Sequence, residues 1–327
     1  EMCIRDRHRG DPVTITPEMI SVEGSSMGLR AGEVLALGDI ARGMMMASGN
    51  DGANAIALYL SDSTEAFSEK MNARAAELHM MQTRFVTPSG LDAEGHGSTA
   101  YDMALLAAEA MQNEEFAAAV GRTTLSVPFI SPEKTVRYEN HNRLLKLYPD
   151  CTGIKTGFTK KAGRCLVSSA ERDGARLICV TLNAPDDWND HMNLYDYGFV
   201  QLAERTYTAG FQPISLPVVG GEKECISLTL QTQESAVLPK NVTVMAEYIL
   251  PQFVYAPVEK GDVIGCVRYS VNGKVLKETP LVSSEDCALQ KDERTWLHKW
   301  FARFLRSTRF ITVSYTHLRA HETKANL

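Results

Sequence analysis

The chain has 327 residues, 44% apolar and 23% charged, the balance of a globular protein with a substantial core and length enough for two domains. Its 34 basic and 40 acidic side chains leave a net charge of -6, with no strongly basic region before the C-terminus, which argues against a nucleic-acid partner. No apolar run approaches the roughly 20 residues that a membrane-spanning helix needs.

Glu1 to Arg9 and Val313 to Leu327 show neither periodicity nor capping signals and are expected to be non-native tails. No signal peptide is visible, and the start of the chain reads as truncated. From about residue 10 to 211 the pattern is mixed α and β. Asp39 to Ser61 is helical but broken by Ser48-Gly49-Asn50-Asp51-Gly52. Glu65 to His79 carries Phe67, Met71, Ala75 and Leu78 at helical spacing. Thr99 to Asp102 fits a capping box ahead of a helix over Met103 to Met111. Arg164–Ala170 and Arg176–Leu182, joined by a turn containing Asp173-Gly174, predict an antiparallel hairpin. Asp187 to Leu202 returns to helical spacing.

From 212 to 289 short runs of Val, Ile, Leu and Thr alternate with turn signals such as Lys260-Gly261-Asp262 and Asn272-Gly273, predicting a small all-β sandwich. The seven cysteines, Cys3, Cys151, Cys165, Cys179, Cys225, Cys266 and Cys287, include no C-x-x-C pair and no histidine at metal spacing. Buried free thiols are therefore expected, and no metal. His96, with Asp92 and Glu94, has loop-like spacing that suits a structural turn better than a ligand set. His141 is open to a structural role or to a place lining the site.

Two tripeptides carry the chemistry: Ser48-Gly49-Asn50 at the helix break and Lys155-Thr156-Gly157 just before the hairpin. Either alone is a chance match. Together, in this order in a mixed chain, they match two of the three motifs of the penicillin-recognising serine enzymes. Further blocks extend the match: Gly90-Leu91-Asp92, Ser98 to Ala104, Asn140 to Leu145, Lys161-Ala162-Gly163 and Tyr197-Gly198-Phe199. From about Asp11 to Phe304 the chain resembles the serine-type D-alanyl-D-alanine carboxypeptidases, the low-molecular-weight penicillin-binding proteins.

That resemblance implies a β-lactamase/transpeptidase-like serine-acyltransferase domain of α+β class. The activity it implies, without cofactor or metal, is removal of the terminal D-alanine from peptidoglycan stem pentapeptides through an acyl-enzyme that β-lactams trap. It implies that Ser48 relays protons, that Lys155 holds positive charge beside it, and that Asn50 bonds the substrate amide oxygen. Thr156, within Lys155-Thr156-Gly157, would bind the terminal carboxylate, and the Phe158 N–H would serve as an oxyanion donor.

The family's nucleophile lies in an S-x-x-K motif upstream of the S-x-N motif. The one such string here, Ser131-Pro132-Glu133-Lys134, lies downstream, contains proline and follows a strand-like run, so the nucleophile is expected to be absent and the chain inactive. A D,D-endopeptidase, a β-lactamase of the same superfamily and a non-catalytic cell-wall-binding pseudoenzyme stay open as alternatives.

In 290–309 the residues Trp296, Leu297, Trp300, Phe301, Phe304 and Leu305 make one helical stripe, with Arg294, Lys299, Arg303, Arg306 and Arg309 as a basic complement. This predicts an amphipathic helix lying on a membrane surface, and hence a protein attached to the outer face of the cytoplasmic membrane.

Overall fold

The structure, a computed structural model, describes residues 8–291 together with Trp300 and Arg303. Apart from Gln290, Lys291, Trp300 and Arg303, the predicted tail helix lies outside the described residues. The tail over 313–327 lies outside them entirely. His8 and Arg9, assigned by sequence to a non-native tail, are engaged: the Gly38 N–H donates to the Arg9 carbonyl at 3.0 Å, and the His8 ring meets Asp11 Oδ2 at 2.7 Å.

The chain divides into two compact units, Glu1–Arg205 with Ala236–Asn241, and Thr206–Ser235 with Val242–Leu327. The sequence boundary at 211/212 falls slightly late and misses the return of 236–241. Those residues return because Ser235–Pro239 pairs with Leu202–Thr206, a pairing between distant segments that leaves no local signal.

The first unit opens with an antiparallel pair, β1 (Pro12–Thr14) and β2 (Val34–Ala36). Helices α1 (Leu37–Ala47) and α2 (Asn50–Leu60) follow, and the break between them is the one the sequence places at Ser48. The N-cap hydroxyl of Ser63 accepts from Ala66 N–H and starts α3 (Thr64–Glu77); Thr99 does the same for α4 (Ala100–Ala110) through Asp102 N–H. The Asp102 carboxylate does not reach back as a capping box requires. It is buried, and it accepts instead from Gln82 N–H and the Thr83 hydroxyl, pinning the preceding loop.

After α5 (Glu114–Val120) comes the hairpin β3 (Thr124–Phe129) and β4 (Lys134–Glu139), then the short α6 (Leu144–Leu147). Strands β5 (Cys151–Thr159), β6 (Gly163–Arg172) and β7 (Ala175–Thr181) form an antiparallel sheet in that order. Asp173 and Gly174, at φ 51° and 76°, make the left-handed two-residue turn that suits the twist of β6 and β7. Helix α7 (Asp187–Val200) covers one face of this sheet, and β8 (Leu202–Thr206) ends the segment.

One core gathers around α1, where Leu37, Ile40 and Met46 meet Ile56, Val127 and Phe129. A second joins Leu166 and Ala170 of β6 to Tyr195 and Phe199 of α7. Each fully buried side chain of this size contributes about 1.5–3 kcal/mol.

Among its described residues up to Lys291, the second unit is all-β. It contains β9 (Ile214–Val219), β10 (Cys225–Leu230), β12 (Met245–Ile249), β13 (Val254–Tyr255), β14 (Val263–Val271) and β15 (Lys274–Ser283), with Ser235–Pro239 as β11 in between. The expected β domain is present, and its strands pair as one six-stranded sheet in the order β12-β14-β15-β10-β9-β13. Its two core clusters share Ile214 and Leu250. Asn272 and Gly273, at φ 50° and 78°, turn β14 into β15 as their sequence predicts. The six described cysteines are all free; Cys179 and Cys287 are buried, whereas Cys225 is exposed.

Candidate active site

Ser48 closes α1 in the left-handed conformation, at φ 55° and ψ 38°, and its own N–H bonds back to Met44 O. A non-glycine residue rarely adopts this backbone, which here turns the chain sharply between two helices. Strand β5 brings Lys155 to the same point, and its Nζ donates to Ser48 Oγ at 2.7 Å and to the Thr156 carbonyl at 2.8 Å. Two motifs 107 residues apart in the chain thus meet through one hydrogen bond. Protein packed around the ammonium group disfavours its charge and pushes the Lys155 pKa down to about 8. Near neutrality this amine can therefore both donate and, once deprotonated, accept a proton from the adjoining hydroxyl.

Asn50 opens α2 two residues further on. Its backbone N–H donates to Ser25 O at 2.8 Å and its Nδ2 to Glu23 O at 2.7 Å. A carboxamide nitrogen carries two hydrogens, so one remains for a ligand.

Thr156, Gly157 and Phe158 continue β5, which is an edge strand of its sheet. Thr156 is half-buried, Gly157 exposed, and Phe158 is 71% exposed. A Cβ at Gly157 would meet nothing nearer than 3.9 Å, so packing does not demand glycine there. A bare backbone at a strand edge instead leaves room for another chain to approach. The far end of β5 is tied down where the Thr159 hydroxyl donates to Asp92 at 3.0 Å.

The remaining sequence candidates fall elsewhere. Ser131 lies in the turn between β3 and β4, and its carbonyl accepts from Val34 N–H. Lys134 pairs with the buried Glu33 and lies over the Phe129 ring, so this S-x-x-K string is a structural turn. His96 uses Nδ1 to accept from Val86 N–H at 3.1 Å, holding a loop. Burial lowers its pKa, which keeps that nitrogen free to accept. His141 is exposed.

Sequence reasoning missed two features. Asp51, 2% exposed, accepts from Met27 N–H, Leu29 N–H and the Ser26 hydroxyl, and so fastens a distant segment to the start of α2. The second is a polar cluster between β6 and α7. There Ser168 Oγ lies 2.6 Å from His191 Nδ1 and 2.5 Å from the Tyr195 hydroxyl, while Thr181 Oγ1 lies 3.0 Å from His191 Nε2. Histidine in the helical pattern Asp187-Trp188-Asn189-Asp190-His191 was its only visible signal.

Comparison with known proteins agrees with this arrangement. The profile of the family described as D-alanyl-D-alanine carboxypeptidase matches residues 7–186, and that described as penicillin-binding protein 5, C-terminal domain, matches residues 204–288. D-alanyl-D-alanine carboxypeptidase DacF of Bacillus subtilis is 33% identical over 283 residues, 84% of this chain and 72% of that protein. DacC of Escherichia coli is 34% identical over 285 residues, 81% of this chain and 68% of that protein. Among solved structures, penicillin binding protein 5 from Haemophilus influenzae aligns with a TM-score of 0.61 at 29% identity, covering 88% of this chain and 86% of its own. With both profiles, these relatives and this fold in agreement, the chain belongs to the serine-type D-alanyl-D-alanine carboxypeptidases, a family of low-molecular-weight penicillin-binding proteins.

Proposed function

We propose that the Ser48–Lys155 pair and the edge of β5 handle a D-Ala-D-Ala-terminated stem peptide, which enters as an added strand along 156–158. The observation that carries this reading is the 2.7 Å bond from Lys155 Nζ to Ser48 Oγ beside an open strand edge. Main-chain bonds along such an edge supply affinity, and flanking side chains supply selection.

In this arrangement Asn50 donates to the substrate amide oxygen, Thr156 binds the terminal carboxylate, and the Phe158 N–H faces the developing oxyanion. An attacking serine forms a bond to the penultimate carbonyl carbon, and the C–N bond to the last residue breaks. The proton lost by the attacking hydroxyl passes to the departing D-alanine amine through Ser48, which Lys155 holds in place. Water then hydrolyses the ester. A β-lactam follows the same first step, opens its ring, and stays attached.

We infer that neither Ser48 nor Ser131 is the attacking serine: Ser48 accepts the lysine's hydrogen bond, and Ser131 lies in a structural turn. Incubating the chain with a labelled penicillin and weighing the intact protein tests this; no stoichiometric adduct is expected. A full adduct would place the nucleophile within the chain and overturn the assignment.

The aromatic and basic pattern of 290–309 supports attachment to an anionic membrane surface on the outer side of the cytoplasmic membrane. Deleting everything after Leu289 should release the protein from anionic vesicles. Undiminished co-sedimentation of the shortened chain would remove that proposal.

A further inference from the structure

Residues 23–29 cross the α1–α2 junction as a strap, and the helices are shaped to receive it. A Cβ at Gly49 would lie 2.6 Å from Met27 Cγ, one at Gly52 would lie 2.7 Å from Met27 Sδ, and one at Gly43 would collide with Met27 Cε. Three glycines, one on each helix and one at the junction between them, thus make the slot for one methionine, itself 5% exposed. The Tyr138 hydroxyl donates to Met27 O at 2.9 Å, and Asp51 takes the N–H groups of Met27 and Leu29. With the middle of the strap anchored this firmly, its leading end falls on Asn50: Ser25 O takes the backbone N–H, and Glu23 O takes Nδ2.

We infer that the strap is the positioning element for the Asn50 carboxamide, and that Gly24 is the residue that permits it. This rests on the reading of Asn50 as a substrate-binding group. A free carboxamide can flip and exchange its oxygen for its nitrogen, which would present an acceptor where a substrate carbonyl needs a donor. The Glu23 carbonyl accepts only from nitrogen, so it fixes the flip and leaves the second N–H for the substrate. Gly24 sits between Glu23 and Ser25 at φ +90°, and a Cβ there would lie 2.6 Å from Asn50 Nδ2. Met27 and Asp51 hold the middle of the strap to the helices, and the Glu23–Asn50 bond falls on the side chain itself.

A matched pair of variants separates positioning from backbone strain. Gly24→Ala places a methyl group against Asn50. Gly32→Ala sits at the same φ of +90° with nothing within 4 Å, and carries comparable strain without the contact. Two readouts apply to the full chain: the side-chain amide resonances of Asn50, assigned by their loss in Asn50→Asp, and the dissociation constant for diacetyl-L-Lys-D-Ala-D-Ala.

Gly24→Ala should abolish the solvent protection of the bonded Asn50 N–H and weaken the peptide about 10-fold, as expected for one hydrogen bond. Gly32→Ala should leave both unchanged while lowering the melting temperature by a similar amount. Unaltered Asn50 resonances in Gly24→Ala, or equal loss of affinity in the two variants, would overturn the inference. If the unmutated chain fails to bind the peptide at all, the substrate role of Asn50 falls, and the resonances alone still decide whether the strap orients its side chain.

Discussion

Ser48 and Ser168 each bring a hydroxyl close to a titratable nitrogen, 2.7 Å from Lys155 Nζ and 2.6 Å from His191 Nδ1. In both pairs burial disfavours the charged form, taking Lys155 down to about 8 and His191 down to about 4. Spacing and perturbed basicity alone would nominate either pair as a reactive centre. They part company in their surroundings. Ser48 and Lys155 are half-buried beside the open edge of β5, whereas Ser168 and His191 are fully enclosed and every polar contact among them stays within β6, β7 and α7. Neutral imidazole, one nitrogen donating and the other accepting, suits the hydroxyls of Ser168 and Thr181 on either side. In the function proposed above the first pair exchanges protons with a ligand, whereas the second holds a helix to a sheet. On that proposal, exposure to a strand edge, more than distance or basicity, is what separates the two pairs.

The sharpest way to break this contrast is to delete each hydroxyl. In the chain fused to an S-x-x-K-bearing segment of a relative, Ser48→Ala and Lys155→Ala should each slow acylation by a β-lactam about 10²-fold or more with little change in melting temperature. Ser168→Ala should do the reverse, costing about 1–3 kcal/mol of stability through stranded polar groups while the acylation rate of the folded protein holds. A large rate loss in Ser168→Ala at full stability would erase the distinction.

Acid should find the enclosed pair first. The folded His191 pKa lies below its unfolded value, so the unfolded chain binds the extra proton between the two. Its contribution is complete above about pH 6.5 and is lost as pH falls toward 4, with a ceiling of about 3 kcal/mol. Urea midpoints measured across that range should fall less in His191→Gln than in the unmutated chain. Parallel curves for the two proteins would show that His191 does not titrate as described.

The smallest expected effect lies along β5. Thr156→Val should weaken peptides with a free terminal carboxylate several-fold more than their amidated forms, the loss of a single charge-assisted bond. Equal losses on both would remove Thr156 as the carboxylate contact.

Short-range structure was largely readable from the sequence. The helix break at Ser48, the Asp173-Gly174 and Asn272-Gly273 turns, and the strand carrying Lys155-Thr156-Gly157 are all written in runs of a few residues. Two residues singled out by the family motifs are also brought into hydrogen-bond contact, Lys155 on Ser48. What escaped reading depends on contacts that no local period encodes. Gly43, Gly49 and Gly52 look like helix weakeners until Met27 fills the slot they leave, and Asp51 looks like a solvated first-turn acid until three donors from 26–29 close on it. The Thr99–Asp102 box was half right for the same reason: its cap is local, but the carboxylate has a better partner in the loop at Gln82 and Thr83.

The pairing of β8 with β11 has a consequence for how the molecule can be taken apart. The backbone passes from one unit to the other at three places, after Arg205, after Ser235 and after Asn241. A single proteolytic nick at any of them leaves the other two crossings of the backbone uncut. A fragment cut at the sequence boundary, 212–289, would carry Ser235–Pro239 away from Leu202–Thr206 and expose an unsatisfied strand to self-association. Because the backbone makes three such crossings, liberating either unit intact means dealing with 236–241 as well as with one cut.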